Sequence, residues 1–341
     1  MKKIIGITMG DPAGIGPEIA IKAFNKPELY DRCHPILIGD KSVLAYYLAK
    51  HPELKLTIHV VEKSSEAKFS FGTIDLIDLA IVDMSNFPIG EISEVGGDAA
   101  FQYVKKVIEL AMVKEVDGTV TNPLNKEAMN AAGHHYAGHT EIYADLTNTE
   151  KYTMMLADGN LRVVHVSTHV SLRDACDLAT KERVLDVIRI ADQACKNLGI
   201  KEPRIAVAGL NPHCGENGLF GQEEINEINP AVEAAQAEGI QAYGSLPADT
   251  VFSKANGGMY DIVVAMYHDQ GHIPLKTLGF VYDQKSGAWE AVKGVNITLG
   301  LPIIRTSVDH GTAFDQAGKW TASEFSLENA IDYAIRLAEN S

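Results

Sequence analysis

The sequence is short of cysteine. Four residues, Cys33, Cys176, Cys195 and Cys214, are scattered through 341 positions with no C-x-x-C pair. That excludes a disulfide framework and a cysteine-ligated zinc site, and it is the usage expected of a chain kept in a reducing cytoplasm. Long apolar runs are missing too: nothing approaches the roughly 20 residues of a membrane-spanning helix. Basic charge is in deficit, with 30 Lys+Arg against 45 Asp+Glu and a net charge of −15. A surface of that sign repels nucleic acid and anionic lipid, so neither is an expected partner, and an anionic substrate must meet a local basic pocket. P-loop, H-E-x-x-H and G-x-S-x-G patterns are absent, which counts against NTPases, zincins and serine hydrolases.

The chain has 46% hydrophobic and 22% charged residues and a mean hydropathy of −0.04. Those values describe a globular protein, and 341 residues suggest two domains. Lys2-Lys3 opens the chain like a secretory signal, but the apolar stretch behind it is short and meets Asp11-Pro12, so it is read as a first strand. Strands are expected at 3–9, 35–39, 56–61, 117–121, 151–156, 161–168, 203–209 and 260–267. Helical segments alternate with them, among them Asp98–Lys114, Lys181–Leu198 and a last helix with Ser326 as N-cap. Such alternation is the α/β signature. No repeat or linker marks a domain boundary.

Gly10-Asp11-Pro12-Ala13-Gly14-Ile15-Gly16-Pro17-Glu18 follows the first strand and leads into a helix. A helix N-terminus there suits an anion, but the dinucleotide fingerprint lacks its third glycine, and a tight strand-to-helix turn is the plainer reading. Three histidines, His169, His213 and His268, each follow an apolar strand run. In an open parallel sheet the carboxyl ends of strands share one rim, so the three can converge as ligands of a catalytic divalent metal. Chance placement among 12 histidines is the alternative for any one of them. Glu216, Asn217, Asp269 and Gln270 are candidate acceptors for the second ring nitrogens, or ordinary turn residues. Lys276, Arg305 and the pair His139-Thr140 are candidates to hold a phosphate; most such Lys and Arg are solvated surface charges.

Met9–Glu18, Thr121–Lys126, Gly138–Glu141, Met266–Gly271 and Gly294–Thr298 through Ser307–Thr312 together resemble the 4-hydroxythreonine-4-phosphate dehydrogenase family along the whole chain. The resemblance implies an α/β, two-domain isocitrate/isopropylmalate-dehydrogenase-like fold with an interdomain cleft. It also implies a homodimer with the site near the subunit interface, a nicotinamide cofactor (NAD or NADP) and one divalent metal, Zn, Co, Mg or Mn. Domains are expected at 1–130 plus 275–341 on the cofactor side and at 131–274 on the metal and dimer side. By motif the resemblance puts metal ligands at His169, His213 and His268, one of them from the neighbouring subunit. Substrate contacts fall on His139, Thr140, Lys276, Asn296 and Arg305, with Asp249 nearby as a candidate proton acceptor. Asp309–Asp315 is similar to the adenosine-side loop of β-decarboxylating dehydrogenases, which implies cofactor contacts at His310, Gly311 and Asp315.

Two departures bear on the substrate. Residues 281–293 are extra relative to the family, and Gly215–Gly221 with Gly271–Lys276 resemble its D-threonate/D-erythronate 4-phosphate branch more than its vitamin B6 branch. The expected reaction is oxidation of the C3 hydroxyl of a 4-phosphorylated hydroxy acid, followed by decarboxylation of the β-keto acid. Competing readings are a metal-dependent phosphosugar lyase or isomerase without nicotinamide, and a two-domain ligand-binding protein without catalysis.

Overall fold

The computed structural model describes residues 2–279, 282–283, 288–289 and 294–340, so the extra segment 281–293 lies almost wholly outside the described residues. The chain divides into two units, Met1–Thr149 with Leu301–Glu339, and Glu150–Gly300. The sequence-based boundaries were 130/131 and 274/275. Helix α6 (His139–Leu146) joins the first unit because it packs on α4 (Glu94–Met112). Strand β13 (Val295–Leu299) joins the second because it pairs with β6 (Thr153–Asp158).

In the first unit the strands are β1 (Ile4–Thr8), β2 (His34–Gly39), β3 (Thr57–Val60), β4 (Thr73–Asp78), β5 (Gly118–Thr121) and β14 (Arg305–Val308). They run in the order β3-β4-β2-β1-β5-β14, every pair parallel. Ile5 and Ile7 of β1 are fully buried, as a central strand covered on both faces requires. Its helices are α1 (Gly16–Phe24), α2 (Pro27–Arg32), α3 (Lys41–Lys50), α4, α5 (Lys126–Ala131), α6 and α12 (Phe325–Glu339). Ser93 caps α4 by accepting from the Gly96 N–H. Ser326, expected as the cap of α12, lies inside its first turn, and its hydroxyl accepts from the Asp309 N–H at 3.1 Å instead.

The turn after β1 is built for close packing. A Cβ on Gly16 would stand 2.2 Å from the Met9 carbonyl, and one on Gly14 would stand 2.8 Å from that of Thr312. The plainer reading of this glycine pair is therefore the right one. Behind it, the fully buried Glu18 carboxylate accepts from the Ala322 N–H (2.7 Å), the Trp320 N–H (3.1 Å) and Lys22 Nζ (2.8 Å). It fastens the segment after β14. Glu18→Ala leaves these donors without their acceptor and is expected to lower unfolding free energy by about 3 kcal/mol. Urea denaturation checks this, and a loss under about 1 kcal/mol would show that the carboxylate is not what holds the segment.

The second unit carries β6, β7 (Leu161–His165), β8 (Ile205–Ala208), β9 (Ala242–Leu246), β10 (Ile262–Ala265) and β13, plus a small ribbon of β11 (Tyr282–Asp283) and β12 (Ala288–Trp289). Its order is β13-β6-β7-β10-β8-β9. The sheet is mixed: β6 is antiparallel to both β7 and β13, while β7, β10, β8 and β9 are parallel. The β6–β7 reversal uses the two-residue turn Gly159-Asn160, with Gly159 at φ +54°. Helices α7 (Leu172–Leu178), α8 (Lys181–Asn197), α9 (Asn229–Ala237), α10 (Ala248–Asn256) and α11 (His268–Gly279) complete it. Val184, Val187, Ile188, Ala191 and Cys195 form the buried stripe of α8 at helical spacing. Leu156, Val163, Ala206, Phe252, Val263 and Leu275 belong to the core between the sheet and α10–α11.

Candidate active site

Register explains why distant histidines meet. Ala265 of β10 pairs with His165 of β7, and Val264 pairs with Val207 of β8, so three parallel strands end side by side. His169 follows β7, His213 follows β8, and His268 begins α11 directly beyond β10. The rings of His169 and His268 lie 6.1 Å apart. Both line a cavity of about 320 Å³ with Thr168, Val170, Tyr267 and Asp269. His268 Nδ1 donates to Asp269 Oδ1 at 2.7 Å, which leaves Nε2 with its lone pair available to an ion.

His213 is not part of this pair. It opens a turn in which His213, Cys214, Gly215, Glu216 and Asn217 all have left-handed backbone angles, φ from 44° to 77°. Five such residues in a row are costly for L-amino acids. Glu224, 1% exposed, braces the turn, its carboxylate accepting from the Asn211 N–H (2.7 Å) and Asn211 Nδ2 (2.9 Å). Glu216 and Asn217 are exposed members of the turn, as is His213. Gln270 is likewise structural, accepting from the Met266 N–H and donating to the Gly209 carbonyl. Asp249 is exposed at the start of α10 and close enough to Cys214 to join burial and Glu224 in pushing that thiol's pKa up, so it sits by the His213 turn.

Two imidazoles on one ion keep their ring centres roughly 5–6 Å apart. The His169–His268 pair therefore fits as two ligands of a divalent cation, with Asp269 fixing one tautomer. Among the described residues no group of three histidine, cysteine or acidic side chains completes the set within one chain. Lys276 lies two turns along α11 from His268, and Asn296 on β13 donates to Met154 Sδ at 2.8 Å.

The first unit holds the other candidates. Arg305 opens β14 and is 2% exposed. Its Nη2 donates to Thr121 Oγ1 at 3.0 Å, and its guanidinium lies 5.7 Å from the Tyr143 ring. Burial lowers its pKa to about 10, which still leaves it cationic at neutral pH. His139 and Thr140 begin α6, whose N-cap, Gly138, offers no side-chain cap. Burial first, then Arg305 and Lys126, hold the His139 pKa well below its ordinary value, so the ring is neutral, and its buried Nε2 has no hydrogen-bond partner. A buried cation beside open helix N–H groups and a neutral imidazole suits a phosphate. Lys126, Thr121 and Tyr143 were not singled out from sequence, although the first two lie in the quoted Thr121–Lys126 segment.

The cofactor candidates lie on the segment after β14. His310 Nε2 is buried without a hydrogen-bond partner, Gly311 has open space where a Cβ would stand, and Asp315 is exposed. Burial keeps the His310 pKa low. An orphaned donor-acceptor nitrogen, an open glycine and a carboxylate suit the ribose and base of a nicotinamide dinucleotide.

Fold and relatives together define the class: an α/β dehydrogenase of the two-domain, isocitrate-dehydrogenase-like type. The chain is 52% identical over 339 residues, 99% of its own length and 98% of the other, to an Oceanobacillus iheyensis protein named "Putative D-threonate 4-phosphate dehydrogenase". A 4-hydroxythreonine-4-phosphate dehydrogenase structure from Klebsiella pneumoniae matches with 45% identity and TM-score 0.86, covering 98% of this chain and 99% of that one. One from Burkholderia phymatum matches with 45% identity and TM-score 0.84, covering 99% and 98%. A family model described as pyridoxal phosphate biosynthetic protein PdxA matches residues 31–334, and the chain belongs to this family.

Proposed function

We propose that this chain oxidises the C3 hydroxyl of D-threonate 4-phosphate or its D-erythronate epimer, with NAD or NADP as oxidant and one divalent metal. The hydroxyl proton goes to a base and the C3 hydride to the cofactor. The resulting β-keto acid then loses carbon dioxide, leaving a three-carbon hydroxyketone phosphate. The observation that supports this best is the His169–His268 pair, two imidazoles on one cavity wall, in a chain half identical to a protein named "Putative D-threonate 4-phosphate dehydrogenase".

The residues divide the work. Arg305 and Thr140 hold the phosphate, with Lys276 and Asn296 as further contacts on the substrate; neutral His139 donates or accepts a hydrogen bond without adding charge. His169 and His268 hold the cation, which when bound supplies electrophilic stabilisation of charge at the reacting oxygen. His310, Gly311 and Asp315 hold the dinucleotide. The third metal ligand is His213 of a second copy. The strained turn lifts this side chain into solvent, and the exposed Val170, Leu172, Leu219 and Phe220 give the same unit apolar surface to bury in a homodimer. Asp249, near that turn, is the candidate proton acceptor.

The test is cofactor reduction, followed by absorbance, with each 4-phosphorylated acid and with 4-phosphooxy-L-threonine, in NAD or NADP, with and without EDTA. Reduction with one of the two sugar acids, abolished by EDTA and restored by added metal, is the expected result. Reduction with 4-phosphooxy-L-threonine alone would move the enzyme to the vitamin B6 branch. No reduction with any of them, from folded metal-loaded protein, would overturn the reading.

A further inference from the structure

We infer that His272 is a positioning residue for the metal-binding imidazole of His268, an inference that rests on the metal reading above. The two residues are four apart on α11 and so share a face of the helix. Their rings stack with centroids 3.6 Å apart and planes 13° from parallel. His272 Nδ1 lies 2.9 Å from the His268 carbonyl oxygen. A carbonyl only accepts, so Nδ1 carries the proton and the ring is pinned to the helix it stands on.

The His272 ring has a second neighbour. His165, fully buried on β7, lies 4.8 Å from it. The helix approaches His165 so closely that a Cβ on Gly271 would stand 2.3 Å from His165 Nε2. His272 is thus a plate packed against two imidazoles and is only 8% exposed. The hydrogen bond to Asp269 does not fix His268 alone: the Asp269 side chain is 70% exposed and that of His268 39%. A carboxylate that open to water is free to leave. The stacked plate restrains rotation of the His268 ring from the buried side, while Asp269 selects its tautomer from the open side.

Stacking is a property of a flat ring. His272→Leu fills similar space without a plate, and His272→Phe restores the plate without the Nδ1 anchor. Metal-free full-length protein is titrated with Co²⁺, reading affinity and the visible spectrum of the bound ion. His272→Leu is expected to bind Co²⁺ about tenfold or more weakly and to show altered visible bands. His272→Phe is expected to stay within about threefold of the parent protein. Parent affinity and spectrum in a folded His272→Leu protein would overturn the inference. Should His272→Leu fail to fold, the Phe variant decides, because a tenfold loss there would show that stacking is not the cause. His268→Ala keeps the two readings apart. Parent affinity in that variant overturns the metal site itself, whereas loss there with none in His272→Leu overturns only the positioning role.

Discussion

Arg305→Met is expected to lower kcat/KM for the phosphorylated substrate by about a thousandfold, because truncating one partner of a buried charge pair costs about 4 kcal/mol. Arg305 is 2% exposed, and its guanidinium donates to Thr121 Oγ1 and lies over the Tyr143 ring. Burial draws its pKa down to about 10, which leaves it cationic at neutral pH, the charge that a bound phosphate would meet on the proposed reading. Arg305→Lys is expected to recover little, since an ammonium cannot give two parallel bonds to a phosphate while keeping the contact to Thr121. A thermal melt of the variant separates lost binding from lost fold. Activity within about tenfold of the parent would remove Arg305 from the phosphate site.

What the sequence made legible follows from range. β1, β2, β8 and β10 are apolar runs buried on both faces, and such runs announce themselves. β4 was missed because Thr73-Ile74-Asp75-Leu76-Ile77-Asp78 looks polar, yet Asp75 is 1% exposed and serves as acceptor for His59 and for the Lys68 and Phe69 N–H groups. β9 carries two exposed residues at the sheet's edge and gives little apolar signal. The short β13 and β14 depend on neighbours far away in sequence. The strand-end rule anticipated that His169 and His268 come together on one cavity, because a parallel sheet turns sequence order into a shared rim. It could not find the His213 turn: Gly215 and Gly218 are visible turn residues, but nothing marks His213, Cys214, Glu216 and Asn217 as left-handed. Nor could composition tell that Arg305 is buried, since most arginines are solvated.

The proposed division of the metal site between two copies predicts complementation. His169→Ala and His213→Ala homodimers are each expected to lose activity by a thousandfold or about that, since each lacks one of three ligands at both sites. Mixed and re-equilibrated in equal amounts, half of the dimers become hybrids. In a hybrid, one site combines His169 and His268 of the His213→Ala chain with His213 of the His169→Ala chain and is whole. The other site carries both lesions. Half of the dimers with one working site in two should restore about a quarter of the parent activity, rising from nearly none as the chains exchange. A single chain that supplies all three ligands makes the opposite prediction, because every site would then carry one lesion in any mixture. His169→Ala with His268→Ala is the control that decides. Both lesions fall on the same side of the shared site, so this pair cannot rebuild it, and recovery there would assign these two ligands to different copies. Recovery in the first pair alone would make the exposed, strained turn around His213 the element that turns two folded chains into one enzyme.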